Sequence, residues 1–545
     1  MTERGIPEYR APAYPETYGD IIDWAIGRVE DPENKVFFRL SEGNISVTYA
    51  DFGRNVGKIS NFLRDRGLKK GDHVAIFLPN CLEYAFLYHS LAKCGAVMVP
   101  IIQFLRGEPL RYIIDHSDST YLITSYELFA DKISPHVSSF RRLRGVFFID
   151  KKENIKGVES TLFSEYEKYP FQFEPVDTVT GSDIQGIWYT SGTTGPPKGV
   201  VIKHKAYIWR AFFFADYFRL DSESVIYYIL PMYHSGYAVL GAPLALAGRC
   251  EIIQVVWFSA SRFWQDVVNY GVTLTASTGT VIPIMLKQPT TEEEIEGRDT
   301  LKLWIGWPVG DEAVVKKRWP DIKFIELYGT TEAPIASVSR FEKPELGNAG
   351  PPTIYTDLKL IDTSTGRETS ERNRPAEIVY RHKLGPEYIL QEYYKEPEKT
   401  KEMIRDGYWF SGDMGMIDNN GNLSFVDRIK DYLRIGGENV SSTVVEEVIR
   451  RHPSIREVAV VGVTGDLGHD EMIAHVVLNE GTPLEPKAFF EFCNENMSYF
   501  MVPRYLKIRS EIPKTGTLRI EKYKLREEGT TNAIDRVELG IKLKR

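Results

Sequence analysis

"YTSGTTGPPKGV", Tyr189 to Val200, packs three glycines, two adjacent prolines, a run of hydroxyl side chains and one lysine into twelve residues. Such a stretch is too flexible for a helix and too small to fill a core. Glycines let successive backbone N–H groups turn toward one point and form an anion-binding nest. Thr190, Ser191, Thr193 and Thr194 add hydroxyl donors, and Lys198 adds a mobile positive charge. The stretch therefore reads as a phosphate-holding loop, with the apolar "GIWYT" before it as the strand that carries it to a sheet edge. It is not the GxxxxGK[ST] loop of ATPases. Five residues on from Gly192 stands Pro197, and Lys198 is followed by Gly199. The two prolines also fix the backbone where that motif would start its helix.

On both sides of the loop, apolar runs alternate with amphipathic stretches, the pattern of an α/β fold with buried parallel strands. "HVAIFLP" (from His73) and "AVMVPI" (from Ala96) read as strands around the helix "CLEYAFLYHSLAKCG". "SVIYYILPMYH" and "CEIIQVV" read as further strands, and "SRFWQDVVNYG" as a helix closed by Gly271. The character changes after about Asp413. "MGMIDNNGNLSFVDR" predicts a hairpin turning at Asn420-Gly421. A helix "TVVEEVIRRHP" capped by Ser441 or Ser442, the strands "EVAVVGV" and "EMIAHVVL", and the helix "PKAFFEFCNENM" follow. We expect an α/β protein with a large, multi-subdomain N-terminal domain of mostly parallel sheets over 1–429. A small, mobile α+β C-terminal domain is expected over 430–545. The tail "GTTNAIDRVELGIKLKR" reads as surface helix or disorder.

At 545 residues, two or more domains are expected. A net charge of -8 argues against a general nucleic-acid binder. The four scattered cysteines give neither a disulfide framework nor a zinc cluster and suit a reducing cytoplasm. The most apolar stretch, Ala238 to Ala247, is too short to span a bilayer. The oligomeric state is left open.

The phosphate loop resembles that of the adenylate-forming superfamily, which includes acyl-CoA synthetases, and further motifs follow in that family's order. "YGTTEA", Tyr328 to Ala333, is similar to its second nucleotide motif. The resemblance implies that Tyr328 stacks on adenine, with Gly329 beside it, that Thr330 or Thr331 meets the α-phosphate, and that Glu332 holds Mg²⁺. "YWFSGD" would place Asp413 on the ribose hydroxyls, and "VDRIKD" would place Arg428 on the nucleotide and Lys430 at a hinge. "LPMYHSGY" would set His234 and Tyr237 along an acyl pocket, which "LWIGWPVG" would close with Gly306 and Trp307. The nucleotide set is thus Thr190, Ser191, Gly192, Thr193, Thr194, Gly195, Lys198, Tyr328, Gly329, Thr330, Thr331, Asp413 and Arg428.

The implied function is an ATP-dependent carboxylic acid–CoA ligase, using Mg²⁺ and coenzyme A and passing through an acyl-adenylate. Its partners are then small molecules, with neither nucleic acid nor membrane insertion. "DYLRIGGENVSSTVVEEV" most resembles the carnitine/crotonobetaine-type CoA ligases, and Gly436, Gly437 and Glu438 would border the CoA channel. Two alternatives stand beside this reading. One is an adenylating enzyme with another acceptor, a carrier protein or an oxidative step. The other is a non-catalytic nucleotide- or acyl-binding relative. The sequence departs from the family at "IPKTGTLRIEKYKLRE", where Leu518-Arg519 replaces the usual Gly-Lys. Arg519 keeps the charge with a planar fork instead of a compact ammonium. It is the expected catalytic cation together with Thr194, Lys198 and Glu332, while Lys514 and Lys522 are the rival candidates.

Overall fold

The structure is a computed structural model that describes residues 14–543 except 176, 191–195, 280, 307–311, 334, 436–437, 465–469 and 515–519. For 430, 432, 434, 438–439, 464 and 470 it describes the backbone alone. The chain divides into two compact units. The described residues of the first fall within 14–190, 196–355 and 381–402, and those of the second within 356–380 and 403–543.

Two eight-stranded sheets build the first unit. In one, the strands Lys323–Tyr328, Leu303–Gly306, Leu274–Ala276, Val225–Tyr228, Glu251–Gln254 and Val36–Leu40 run parallel in that spatial order. Antiparallel strands, Ser337–Val338 and Ile45–Thr48, close its two edges. The parallel strands are short and apolar because both faces are covered. Trp304, Trp319, Phe263 and Phe324 pack together on one face. In the other sheet, Ile184–Thr190, Val97–Pro100, His73–Phe77, Tyr121–Thr124, Gly145–Phe148 and Glu159–Leu162 are parallel. Lys198–Lys203 and then Glu392–Tyr393 extend it antiparallel at one edge.

The expected helices are present for the expected reasons. Thr48 caps Tyr49–Asp65 by accepting from the Asp51 amide at 3.1 Å. Gly271 closes Phe263–Tyr270 in the left-handed region, at φ 63°. The aromatic run in His204–Tyr217 is almost wholly buried, as core packing predicts.

In the second unit, Tyr408–Ile417 and Leu423–Arg428 form the expected hairpin, with Gly421 at φ 82°. They belong to a six-stranded sheet that also holds Thr356–Ile361 and Ala376–His382. A four-stranded sheet follows, built from Ile455–Thr464, Asp470–Leu478, Tyr505–Arg509 and Ile534–Asp535. Ser441 caps the helix Ser442–Arg450 by accepting from the Val444 amide. One expectation is corrected here. The tail is neither a surface helix nor disorder over its described part, because Ile534–Asp535 adds an edge strand. Arg504 pairs with Asp535 at 3.1 Å, and Ile541 and Leu543 pack against the unit's core. Apolar residues spaced among charges gave no periodicity from which to read this.

Candidate functional site

In the first unit several candidate residues follow the carboxyl ends of parallel strands of one sheet, where open α/β sheets bind ligands. His234 follows Val225–Tyr228, Gly306 ends Leu303–Gly306, and Gly329 to Glu332 follow Lys323–Tyr328. Gly306 has a packing reason: a Cβ there would lie 2.9 Å from the Ser277 carbonyl oxygen. The Gly236 amide donates to His234 Nδ1 at 3.0 Å, which leaves Nε2 as the ring nitrogen that can donate. Tyr237 is fully buried, its ring 5.1 Å from Tyr88 and 5.2 Å from Tyr228, and burial pushes its phenol well above the usual range.

The Tyr328 ring is buried at the end of its strand. Beyond it, the Thr330 hydroxyl accepts from the Ala333 amide at 3.1 Å and shapes the turn. Thr331 Oγ1 lies 3.0 Å from Ser235 Oγ, pairing two hydroxyls from separate loops. Glu332 is half-buried, and its Oε1 accepts from the Tyr393 hydroxyl at 3.0 Å. No group of three or more acidic, histidine or cysteine side chains converges among the described residues.

Thr190 and Lys198, the described ends of the glycine loop, face each other across antiparallel strands. Lys198 Nζ lies 5.0 Å from the Tyr393 ring centroid. Gly199 is required by its neighbours, because a Cβ there would sit 2.8 Å from Ile187 and 3.2 Å from Tyr189. Ser191, Gly192, Thr193, Thr194, Gly195, Trp307, Gly436, Gly437 and Arg519 lie outside the described residues. Glu438 and Lys430 are described by backbone only, in the strand Glu438–Ser441 and the short 3-10 turn Ile429–Asp431.

In the second unit a bulge re-aims Asp413. Phe410 pairs with Val379 and Met414 with Glu377, so three residues face Ile378 alone. Gly412 takes φ 70° to allow it. Asp413 is 5 % exposed and sits opposite Arg428, whose Nε is 3.5 Å from its Oδ1. Asp427, on the adjoining position, accepts from Ser442 Oγ at 2.7 Å and from Ser441 Oγ at 3.1 Å. The two lysines that rivalled Arg519 are both engaged. Lys514 pairs with Glu457 at 2.5 Å, and Lys522 pairs with Glu446 at 2.7 Å while donating to Ser442 Oγ at 2.6 Å. The sequence reading had assigned nothing to Tyr393, Ser235 or Asp427. Ser235 and Asp427 lie in the quoted motifs "LPMYHSGY" and "VDRIKD", whereas Tyr393 lies in none.

This arrangement is that of an adenylate-forming enzyme. Residues 27–394 match the AMP-binding enzyme family, and residues 444–518 match the AMP-binding enzyme C-terminal domain. The chain belongs to the AMP-binding enzyme family. It is 28% identical over 511 residues to a crotonobetaine/carnitine–CoA ligase of Proteus mirabilis, covering 91% of this chain and 96% of that protein. The corresponding Escherichia coli O157:H7 protein is 28% identical over 486 residues, covering 87% of this chain and 92% of that one. Among solved structures, an anthranilate–CoA ligase in complex with anthranoyl-AMP superposes with a TM-score of 0.83 at 22% identity, covering 95% and 98% of the two chains. ATP-bound MatB from Rhodopseudomonas palustris superposes with a TM-score of 0.81 at 23% identity, covering 94% and 99%. The expected fold class is thereby shown. Among the described residues no helix is long and apolar enough to cross a membrane.

Proposed function

We propose that this AMP-binding enzyme is a cytoplasmic ATP-dependent carboxylic acid–CoA ligase. The observation that carries the reading is that Tyr393 contacts both Lys198 and Glu332, while Thr331, next to Glu332 in the chain, meets Ser235. A cation for phosphate oxygens, paired hydroxyls and a hard carboxylate ligand are what positioning a nucleoside triphosphate requires. The ligases named among its relatives support a small acid and CoA as the other substrates.

In the first half-reaction a carboxylate oxygen of the acid attacks the α-phosphorus, and the bond to pyrophosphate breaks. Lys198 stabilises charge that grows on the departing phosphates, and Thr331 donates to the α-phosphate. Thr330 is the alternative for that contact, since its hydroxyl accepts from the Ala333 amide and keeps its own proton to donate. Glu332 would hold Mg²⁺, which when bound neutralises phosphate charge. Asp413, aimed by the bulge and paired with Arg428, suits the ribose hydroxyls. In the second half-reaction the CoA thiolate attacks the acyl carbonyl and AMP leaves with the electron pair. A screen of small acids with ATP, Mg²⁺ and CoA, reading AMP and thioester separately, tests this. Thioester formation with at least one acid is expected; AMP without thioester across the panel points to another acceptor.

We place the pivot between the half-reactions at Lys430, in the turn that links Leu423–Arg428 to Tyr432–Ile435, with 430–545 as the moving domain. Torsion changes of a domain closure concentrate in such a few linking residues. Lys430→Pro, which fixes the backbone there, is expected to slow thioester formation more than acyl-adenylate formation. Equal losses in both steps would remove the pivot from this position.

A further inference from the structure

The segment around Tyr393 holds Glu332 twice. The Leu390 amide donates to the Glu332 carbonyl oxygen at 2.5 Å, and the Tyr393 hydroxyl donates to the Glu332 carboxylate at 3.0 Å. Tyr393 is fixed from its other side, where its amide donates to Thr400 Oγ1 at 2.9 Å. In the sheet it is paired with Val200, which sets its ring diagonally beside Lys198 on the same face. The Lys198 ammonium lies 5.0 Å from that ring's centroid, within cation–π range. One side chain therefore contacts both a cation and a carboxylate that belong to the same site.

A lysine and a glutamate free to meet would form an ion pair, and each would then be occupied before any nucleotide arrived. No Lys198–Glu332 ion pair is present among the described residues. The tyrosine ring attracts the ammonium without neutralising it. Its hydroxyl occupies part of one carboxylate oxygen's capacity and leaves Oε2 for another ligand. We propose that Tyr393 is a positioning residue, holding Glu332 oriented for a divalent cation and Lys198 for phosphate while keeping the two charges from pairing with each other. The proposal rests on the ligase reading above and adds a residue to its nucleotide site. Groups that hydrogen-bond a metal's carboxylate ligand commonly tune its affinity by about 10- to 100-fold.

The test is calorimetric titration of the full chain with a non-hydrolysable ATP analogue, at a series of Mg²⁺ concentrations and in EDTA. Tyr393→Phe keeps the ring and removes only the hydroxyl. It is expected to raise the Mg²⁺ concentration for half-maximal binding about tenfold or more, with binding in EDTA unchanged. Tyr393→Leu removes the ring as well and is expected to weaken binding in EDTA too. An unaltered Mg²⁺ dependence in Tyr393→Phe overturns the proposal, as does an equal loss with and without metal, which is the mark of a merely structural role. Tyr393→Phe decides the matter alone if Tyr393→Leu does not fold. Wild-type chain that binds no analogue under any condition defeats the ligase reading and this role together. Metal-dependent wild-type binding with an insensitive Tyr393→Phe defeats this role alone.

Discussion

Glu332→Gln is expected to remove most acid-dependent pyrophosphate exchange while the fold melts as before. An amide keeps the size of the side chain and can still accept from Tyr393, so the contact at 3.0 Å survives in kind. It loses the negative charge that a hard divalent cation requires. Metal stabilisation of transferring phosphoryl charge amounts to several kcal/mol, so a fall of about three decades in exchange is expected. Raising Mg²⁺ should recover part of the lost rate if binding is what has weakened. Full exchange at ordinary Mg²⁺ would mean that the cation is held elsewhere.

The second large effect is expected at Arg519. If its guanidinium bridges the acid carboxylate and the α-phosphate, Arg519→Ala should lower adenylation by roughly two to three decades, as for other lost transition-state donors. CoA transfer from a supplied acyl-adenylate should hardly change, because that step no longer needs the bridge. The rival lysines each have an ion-pair partner in the structure, Lys514 in Glu457 and Lys522 in Glu446. Releasing Lys522 would leave the buried Glu446 carboxylate with the Val460 amide but without its cation. Pyrophosphate exchange by Arg519→Ala at the wild-type rate would return the role to one of those lysines. Arg519→Lys separates charge from shape: retained activity means the charge suffices, and collapse means the planar fork is used.

The strands and most helices were legible because each is announced locally, by an apolar run, a capping hydroxyl or a closing glycine. "SGD" was legible as a motif, but its bulge was not, since that depends on pairing with Glu377 and Val379. Tyr393 was invisible for the same reason. "QEYYKEPEKT" carries no phosphate or metal signature, and its importance comes from joining a strand that lies far back in the chain. Nor does any local signal announce that residues 356–380 join residues beyond 403, because they do so by pairing rather than by adjacency. What the sequence conveys poorly is long-range pairing.

The edge strand Glu392–Tyr393 has a consequence for biosynthesis. Lys198–Lys203 leaves the ribosome with its outer edge unpaired, and the residue that covers it arrives roughly 190 residues later, some 10–40 s at ordinary elongation rates. During that interval "VVI" at Val200 to Ile202 presents an apolar, hydrogen-bond-hungry border of the kind on which nascent chains associate. Arrival of Glu392–Tyr393 seals the border and brings the phenol to Glu332 in the same event. A chain released before that point carries the glycine loop and the acidic residue without the clamp between them. On the role proposed for Tyr393, nucleotide binding would be acquired late in translation, together with the covering of this edge.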